Sequence, residues 1–446
     1  MSDALLITNA RLVNEGRIVD GDLLAVDGRI EKIGSGLSHA GAEVLDAAGR
    51  VLMPGMIDDQ VHFREPGVTH KADIATESRA AVAGGITSFM EMPNTNPQTV
   101  TLEALEAKFA LAAGRAWGNH AFYLGATNDN IDEIRRLGPN QTCGIKVFMG
   151  ASTGNMLVDD PKVLEHIFRD APMLVATHCE DTPTIKANEE RYRAEYGDEI
   201  PIHLHPLIRS EEACWRSSSF AVDLARRFAT RLHVLHLTTA RELDLFETGP
   251  IAGKRITAEA CVHHLYFSEA DYAQRGNLIK CNPAIKTAAD RAALRAALAE
   301  NRLDVIATDH APHTLDEKAA TSYFKSPAGL PLVQHALAMA LELVHDGVMP
   351  LPQLVHKVSH GPAELFRVHE RGYLREGYWA DLVLVDMDRP QRVVREQVLY
   401  KCGWSPLEGD TLRSSIVATV VNGELKYHEG RFLGDAGGRR LTFERS

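Results

Sequence analysis

Pro54-Gly55-Met56-Ile57-Asp58-Asp59-Gln60-Val61-His62-Phe63-Arg64 is a short apolar run that ends in carboxylates, an amide, an imidazole and a guanidinium. Such a run reads as a buried strand whose C-terminal end carries chemistry. Seven more follow, at residues 86–92, 120–126, 144–149, 173–178, 231–237, 255–262 and 303–308. Between them lie stretches of helical period at 72–83, 102–113, 161–170, 211–228 and 288–299. Strand and helix in alternation predict a parallel sheet, and about eight such units predict a closed α/β barrel. The rival, a doubly wound open sheet, lacks its marker, because no glycine-rich phosphate loop follows the first strand.

Outside this central region the texture differs. Residues 5–13, 23–26 and 29–33 alternate apolar and polar positions between Gly and Asp turns, the period of half-buried strands. The same alternation returns at 380–385, 415–421 and 424–428. The expected organisation is therefore a β unit shared by the two ends, residues 1–54 and 366–446, around a barrel at 55–365.

Composition narrows the function classes. The chain has 446 residues, 45% of them hydrophobic and 24% charged, which matches a globular protein with ample core. Its 48 Lys and Arg against 60 Asp and Glu leave a net charge of −12, so no nucleic-acid partner is expected. Six cysteines without any C-x-x-C spacing read as reduced thiols. No basic leader and no apolar stretch of membrane-spanning length is seen, so a cytoplasmic protein without a membrane partner is expected. The expected partner is a small-molecule substrate, and a homo-oligomer is compatible with the sequence.

In a barrel, catalytic groups collect at the C-terminal ends of the strands. Here those ends carry His62 and Arg64, Glu91 and Asn94, Lys146, His178, His236, His263 and His264, and Asp309, His310 and His313. Imidazole, carboxylate and lysine converging on one rim are the donors of a divalent-metal hydrolytic site. Lys146, between Ile145 and Val147, points into the barrel mouth, where its desolvated amine would react with carbon dioxide to give an anionic carbamate. His203-Leu204-His205 matches an H-x-H spacing but falls in a polar segment between helices and is left out of the site.

These motifs carry a resemblance. Pro54-Gly55-Met56-Ile57-Asp58, Val61-His62-Phe63-Arg64-Glu65-Pro66-Gly67, Met92-Pro93-Asn94-Thr95, Gly144-Ile145-Lys146, Ala176-Thr177-His178, Leu235-His236-Leu237 and Ala307-Thr308-Asp309-His310-Ala311-Pro312-His313 resemble the dihydroorotases of the amidohydrolase superfamily over nearly the whole chain. The resemblance implies a distorted TIM barrel with a flanking β-sandwich, zinc, and a place in pyrimidine synthesis. It implies that carboxylated Lys146 bridges two metals, that His178 and His236 hold one, and that His62 and Asp309 help hold the other. Arg64, Asn94 and His313 would bind the substrate carboxylate, Asn282 would lie near the ring, and Asp309 would act as base and then acid. Hydantoinases and allantoinases share the metal set and are the alternative, as is a non-catalytic homologue serving as a structural partner.

Two departures stand out. The family's first strand reads D-x-H-x-H, and residues two apart on a strand face the same way, so both imidazoles reach one metal. Here Gln60 replaces the first, and a neutral amide oxygen is a weaker zinc ligand than imidazole. The segment Gly329-Leu330-Pro331-Leu332-Val333-Gln334 also lacks the family's second Gly and terminal Glu, which predicts an altered loop over the substrate.

Overall fold

A computed structural model describes residues 4–150 and 156–445. The two ends of the chain pair with each other. A nine-stranded sheet runs from Arg431–Phe432 through Glu424–His428, Ser415–Val421, Leu382–Asp386, Val51–Pro54, Ala4–Asn14 and Arg17–Val26 to Arg29–Gly34, with Glu43–Asp46 branching from Ala4–Asn14. The seam is the antiparallel pairing of Val51–Pro54 with Leu382–Asp386, where Leu52 faces Leu384. Ile30 from the outer strand and Val417 from the other half share one apolar cluster, so the sheet curls over itself as a sandwich. Gly28 and Gly423 meet where the halves touch: a Cβ on Gly423 would lie 2.5 Å from the Gly28 Cα, and both hold positive φ. Only glycine permits that approach.

Eight parallel segments form the barrel: Met56–Val61, Ile86–Glu91, Asn119–Phe122 continued by Leu124–Gly125, Ile145–Phe148, Val175–His178, Leu232–Val234, Ile256–Cys261 and Val305–Ala307. They fall within or next to the runs expected from hydropathy. The ladder is interrupted at Tyr123, so the barrel is distorted into three-stranded and six-stranded arcs. The outer helices begin where a side chain caps the chain. Asp73 caps Ile74–Ala83, Thr101 caps Leu102–Ala112, and Ser210 caps Glu211–Phe228, each accepting a backbone N–H of the first turn. The Asp73 cap explains why the first helix starts two residues later than its apolar period suggests. The C-terminal tail was not anticipated as part of the barrel; Leu441 and Phe443 pack with Tyr123 and Phe366 in one cluster.

Closure joins the first strand to the eighth. The His62 N–H donates to the His310 carbonyl at 2.7 Å. One turn deeper, Asp58 Oδ1 accepts the Thr308 N–H at 3.1 Å, and Thr308 Oγ1 lies 2.6 Å from Asp58 Oδ2 and 3.2 Å from the Gln60 carbonyl. One hydroxyl hydrogen serves only one of those two contacts. Burial, with the charge of Asp59 adding and the Thr308 bonds opposing, pushes Asp58 up to about 8, so its carboxyl carries the second proton at neutral pH. Among the described residues the cysteines are unpaired thiols, and no helix is long and apolar enough to cross a membrane.

The protonated carboxyl at Asp58 makes a specific prediction. Asp58→Asn keeps one donor and one acceptor and should stay within about 1 kcal/mol of the wild type, whereas Asp58→Ala strands Thr308 and should lose about 2–3 kcal/mol in urea unfolding.

Candidate active site

The strand ends open on a narrow cleft. Gln60, His62 and Arg64 from the first strand end, Asn94 from the second and Lys146 from the fourth line it. His178, His236, Asn282 and Asp309 complete the wall from the later strands and loops. Of the ten residues that the resemblance and its Gln60 departure place at the site, nine therefore face one cavity. The tenth, His313, sits behind Arg64, with Nε2 3.2 Å from the guanidinium and 3.0 Å from the Ala328 carbonyl, and Nδ1 2.9 Å from Lys71 Nζ. It supports Arg64 and does not line the cleft.

Several strand-end residues turn away. Glu91 is buried against Lys108 at 3.1 Å and accepts the Phe63 N–H. His310 lies 2.8 Å from Glu77 and accepts the Leu332 N–H. His263 and His264 lie on the short helix Val262–Tyr266, just past the seventh strand. His205 is fully buried rather than in a polar surface segment, bonded to Tyr323 Oη and the Cys281 carbonyl at 2.8 Å each.

Each imidazole on the wall is aimed by a second group. His62 donates Nδ1–H to Asn94 Oδ1 at 2.8 Å, and its Nε2 then faces Asp309 Oδ1 at 3.1 Å. Burial holds His62 below its ordinary range. Burial works to raise Asp309, but the His62 contact and the charges of His62, His263 and Lys146 outweigh it and keep the carboxyl low. A ring nitrogen and a carboxylate oxygen thus lie close enough to share one proton or one cation. His178 repeats the pattern: Nε2–H donates to Glu180 Oε2 at 3.0 Å, so Nδ1 turns a lone pair toward His236 Nε2, 3.0 Å away. Atoms bound to one ion at ~2.0–2.1 Å sit roughly 3 Å apart, so both pairs fit a divalent cation.

Glu180 was missed in the sequence, although it lies two residues past His178 and the strand period brings it to the same side. It is fully buried, and Arg209 pairs with it. Burial raises such a carboxyl, but Arg209 and His178 hold Glu180 at about 2. Glu259, also missed, accepts the His236 backbone N–H at 3.1 Å and steadies a residue with φ of 40°. Lys146 is 1% exposed, and burial lowers its ammonium to about 8 against the attraction of Asp309 and Glu259. That shift leaves a useful fraction of neutral amine near pH 8. The amide of Gln60 lines the cleft, with Oε1 3.6 Å from the Cys261 thiol. Gly329 forms the cavity edge at φ +142°, where a Cβ would come within 2.3 Å of the Ala311 carbonyl.

The chain matches the family model described as the amidohydrolase family over residues 51–426. It is 34% identical over 437 residues to the dihydroorotase of Pelobacter propionicus, covering 95% of this chain and 99% of that protein. It is 31% identical over 444 residues to the allantoinase of Solibacter usitatus, with 98% and 96% covered. Among solved structures, the L-hydantoinase (dihydropyrimidinase) of Arthrobacter aurescens is similar at TM-score 0.92 and 27% identity, over 99% of this chain and 100% of that one.

Glu180 and Gln60 have opposite expected effects on metal. Glu180→Gln removes the carboxylate that aims His178 and should weaken zinc binding by about 10–100-fold in competition with a chromophoric chelator. Gln60→His should raise the metal-to-protein ratio after gel filtration.

Proposed function

The chain belongs to the amidohydrolase family and is a metal-dependent cyclic amidohydrolase, and we propose that its substrate is dihydroorotate, opened reversibly to N-carbamoyl-L-aspartate in pyrimidine synthesis. One observation carries the choice of substrate. Arg64 is 5% exposed on the cleft wall and, among the described residues, makes no ion pair with a carboxylate. Its Nε–H donates to the Pro312 carbonyl, and Nη2 lies 3.2 Å from His313 Nε2. Burial pulls it down to about 10, still charged at neutral pH. Asp309, Glu91 and Glu317 attract it only from beyond ion-pair distance, and an incoming carboxylate would add direct, paired N–H···O bonds. Dihydroorotate carries that carboxylate; hydantoin and allantoin do not.

The remaining roles follow from the donors present. Asn94, already bonded to His62, flanks the carboxylate position with its amide. Asn282 Oδ1 is buried without a hydrogen-bond partner and would accept a ring N–H. Lys146 as a carbamate, with His178 and His236 on one side and His62, Asp309 and Gln60 on the other, would hold the zinc ions. A bound divalent cation supplies Lewis acidity to the amide carbonyl and to water. Asp309, kept ionised by its neighbours, takes the proton of the attacking water and hands it to the leaving ring nitrogen. In the reverse direction the ionised carboxylate first takes the proton of the attacking ureido nitrogen and then returns it to the departing water oxygen. A second reading, a neutral cyclic ureide as substrate, draws on the named allantoinase and hydantoinase relatives and leaves Arg64 without a partner.

A substrate panel separates the two. With zinc-loaded protein and an ultraviolet assay, dihydroorotate should be turned over well and hydantoin and allantoin poorly. Arg64→Met should raise KM for dihydroorotate on the order of 10²-fold or more, and equal turnover of the uncharged rings would reject the assignment. Asp309→Asn should lower kcat by about 10²–10⁴-fold with the fold intact by circular dichroism.

A further inference from the structure

Among the described residues, two clusters outside the ligand set bring three metal-competent donor atoms within 4.8 Å of one another: Asp59, His233 and Glu259, and Cys261, His263 and His264. The first is already supplied. His233 Nε2 lies 3.4 Å from Asp59 and 3.2 Å from Glu259, and Nδ1 lies 2.9 Å from Thr257 Oγ1. Burial works against the imidazolium, yet the two carboxylates push His233 up to about 9, so a proton takes the place of a cation.

The second cluster has no such occupant. Cys261 ends the strand Ile256–Cys261, and His263 and His264 lie in the first turn of Val262–Tyr266. All three are buried, none more than 3% exposed. His264 donates Nε2–H to the Pro283 carbonyl at 3.0 Å, which leaves Nδ1 as a lone pair, and that nitrogen has no hydrogen-bond partner. Fixing one ring nitrogen on a carbonyl is how proteins present the other to a metal. Neither ring nitrogen of His263 makes a well-formed hydrogen bond, and its polar neighbours are Asp309 and the Thr308 backbone. Buried polar atoms are otherwise satisfied in folded proteins, so this concentration points to a missing ligand. The cluster also borders the cleft, since the Cys261 Sγ lies 3.6 Å from the Oε1 of Gln60, which lines it.

We propose that Cys261, His263 and His264 bind a soft divalent cation, zinc in the first instance, beside the Gln60 amide of the cleft wall. One sulfur and two imidazole nitrogens are a donor set that favours zinc over magnesium or calcium. On binding, the sulfur–metal bond forms as the thiol proton leaves to solvent. The seventh strand thereby offers donors beside the position where the first strand lacks its imidazole. The site is independent of which ring the enzyme opens.

Cobalt(II) reads this site without reference to turnover. Loaded into the metal-stripped full-length protein, it should give a thiolate-to-cobalt charge-transfer band in the near ultraviolet, which the nitrogen and oxygen donors of the main cleft do not produce. The band should persist in Lys146→Ala and in Cys281→Ser, whose thiol lies 3.7 Å from His264 Nε2. It should vanish in Cys261→Ser, with one equivalent of cobalt lost per chain; Cys261→Ala serves if the serine variant does not fold. X-ray absorption on the zinc-loaded wild type should show a zinc–sulfur shell near ~2.3 Å. A folded wild type with neither band nor sulfur shell would overturn the proposal, as would a band that survives loss of Cys261 or depends on Cys281.

Discussion

Closure of the barrel between its first and eighth strands sets the position of everything in the cleft. The His62 N–H on the His310 carbonyl and the Asp58 carboxyl on Thr308 register two segments far apart in the chain. With that register in place, His62 Nε2 and Asp309 Oδ1 meet at 3.1 Å across 247 residues. The bonds run through a protonated carboxyl in a dry interior, where a hydrogen-bond network is strong when complete and costly when broken. A small shift in this seam would separate two of the proposed ligands, whereas a comparable shift in the outer sheet would leave them untouched.

Around that seam the protein treats buried polar groups in two ways. Imidazoles that face the cleft are each tied from behind: His62 by Asn94, His178 by the Glu180–Arg209 pair, and His236 through its backbone by Glu259. Such supports fix the ring and the tautomer before any ion arrives. Arg64 and Asn282 are treated differently: among the described residues the guanidinium has no carboxylate within ion-pair distance, though Asp309, Glu91 and Glu317 attract it from farther off, and the Asn282 carbonyl oxygen has no hydrogen-bond partner. Groups of the first kind suit a resident cation, and groups of the second kind suit a molecule that comes and goes. Gln60, the amide among the proposed ligands, also contacts Cys261 and so directs attention to the seventh strand.

How much of this was legible in the sequence depends on the range of the physics involved. The barrel strands are local: apolar runs of strand length need only neighbouring residues. Lys146 was legible for the same reason, since a lysine flanked by apolar residues in a buried strand has nowhere else to point. Glu180 was overlooked because a carboxylate after a histidine looks like a loop residue until Arg209 arrives from a different segment. His313 shared a motif with Asp309 yet lies behind Arg64, because the turn after the eighth strand carries it away from the cleft.

The residues by themselves determined the class of chemistry: an alternating strand and helix pattern, polar donors at the ends of apolar strands, and an acidic surface unsuited to phosphate backbones. Side-chain period and hydropathy act over a few positions, so one dimension is enough to read them. Only the tertiary structure decided which donors come close enough to share a cation, which imidazole is left without a partner, and which buried cation touches no carboxylate. Those are distances between atoms on different strands, and they exist only once the barrel has closed.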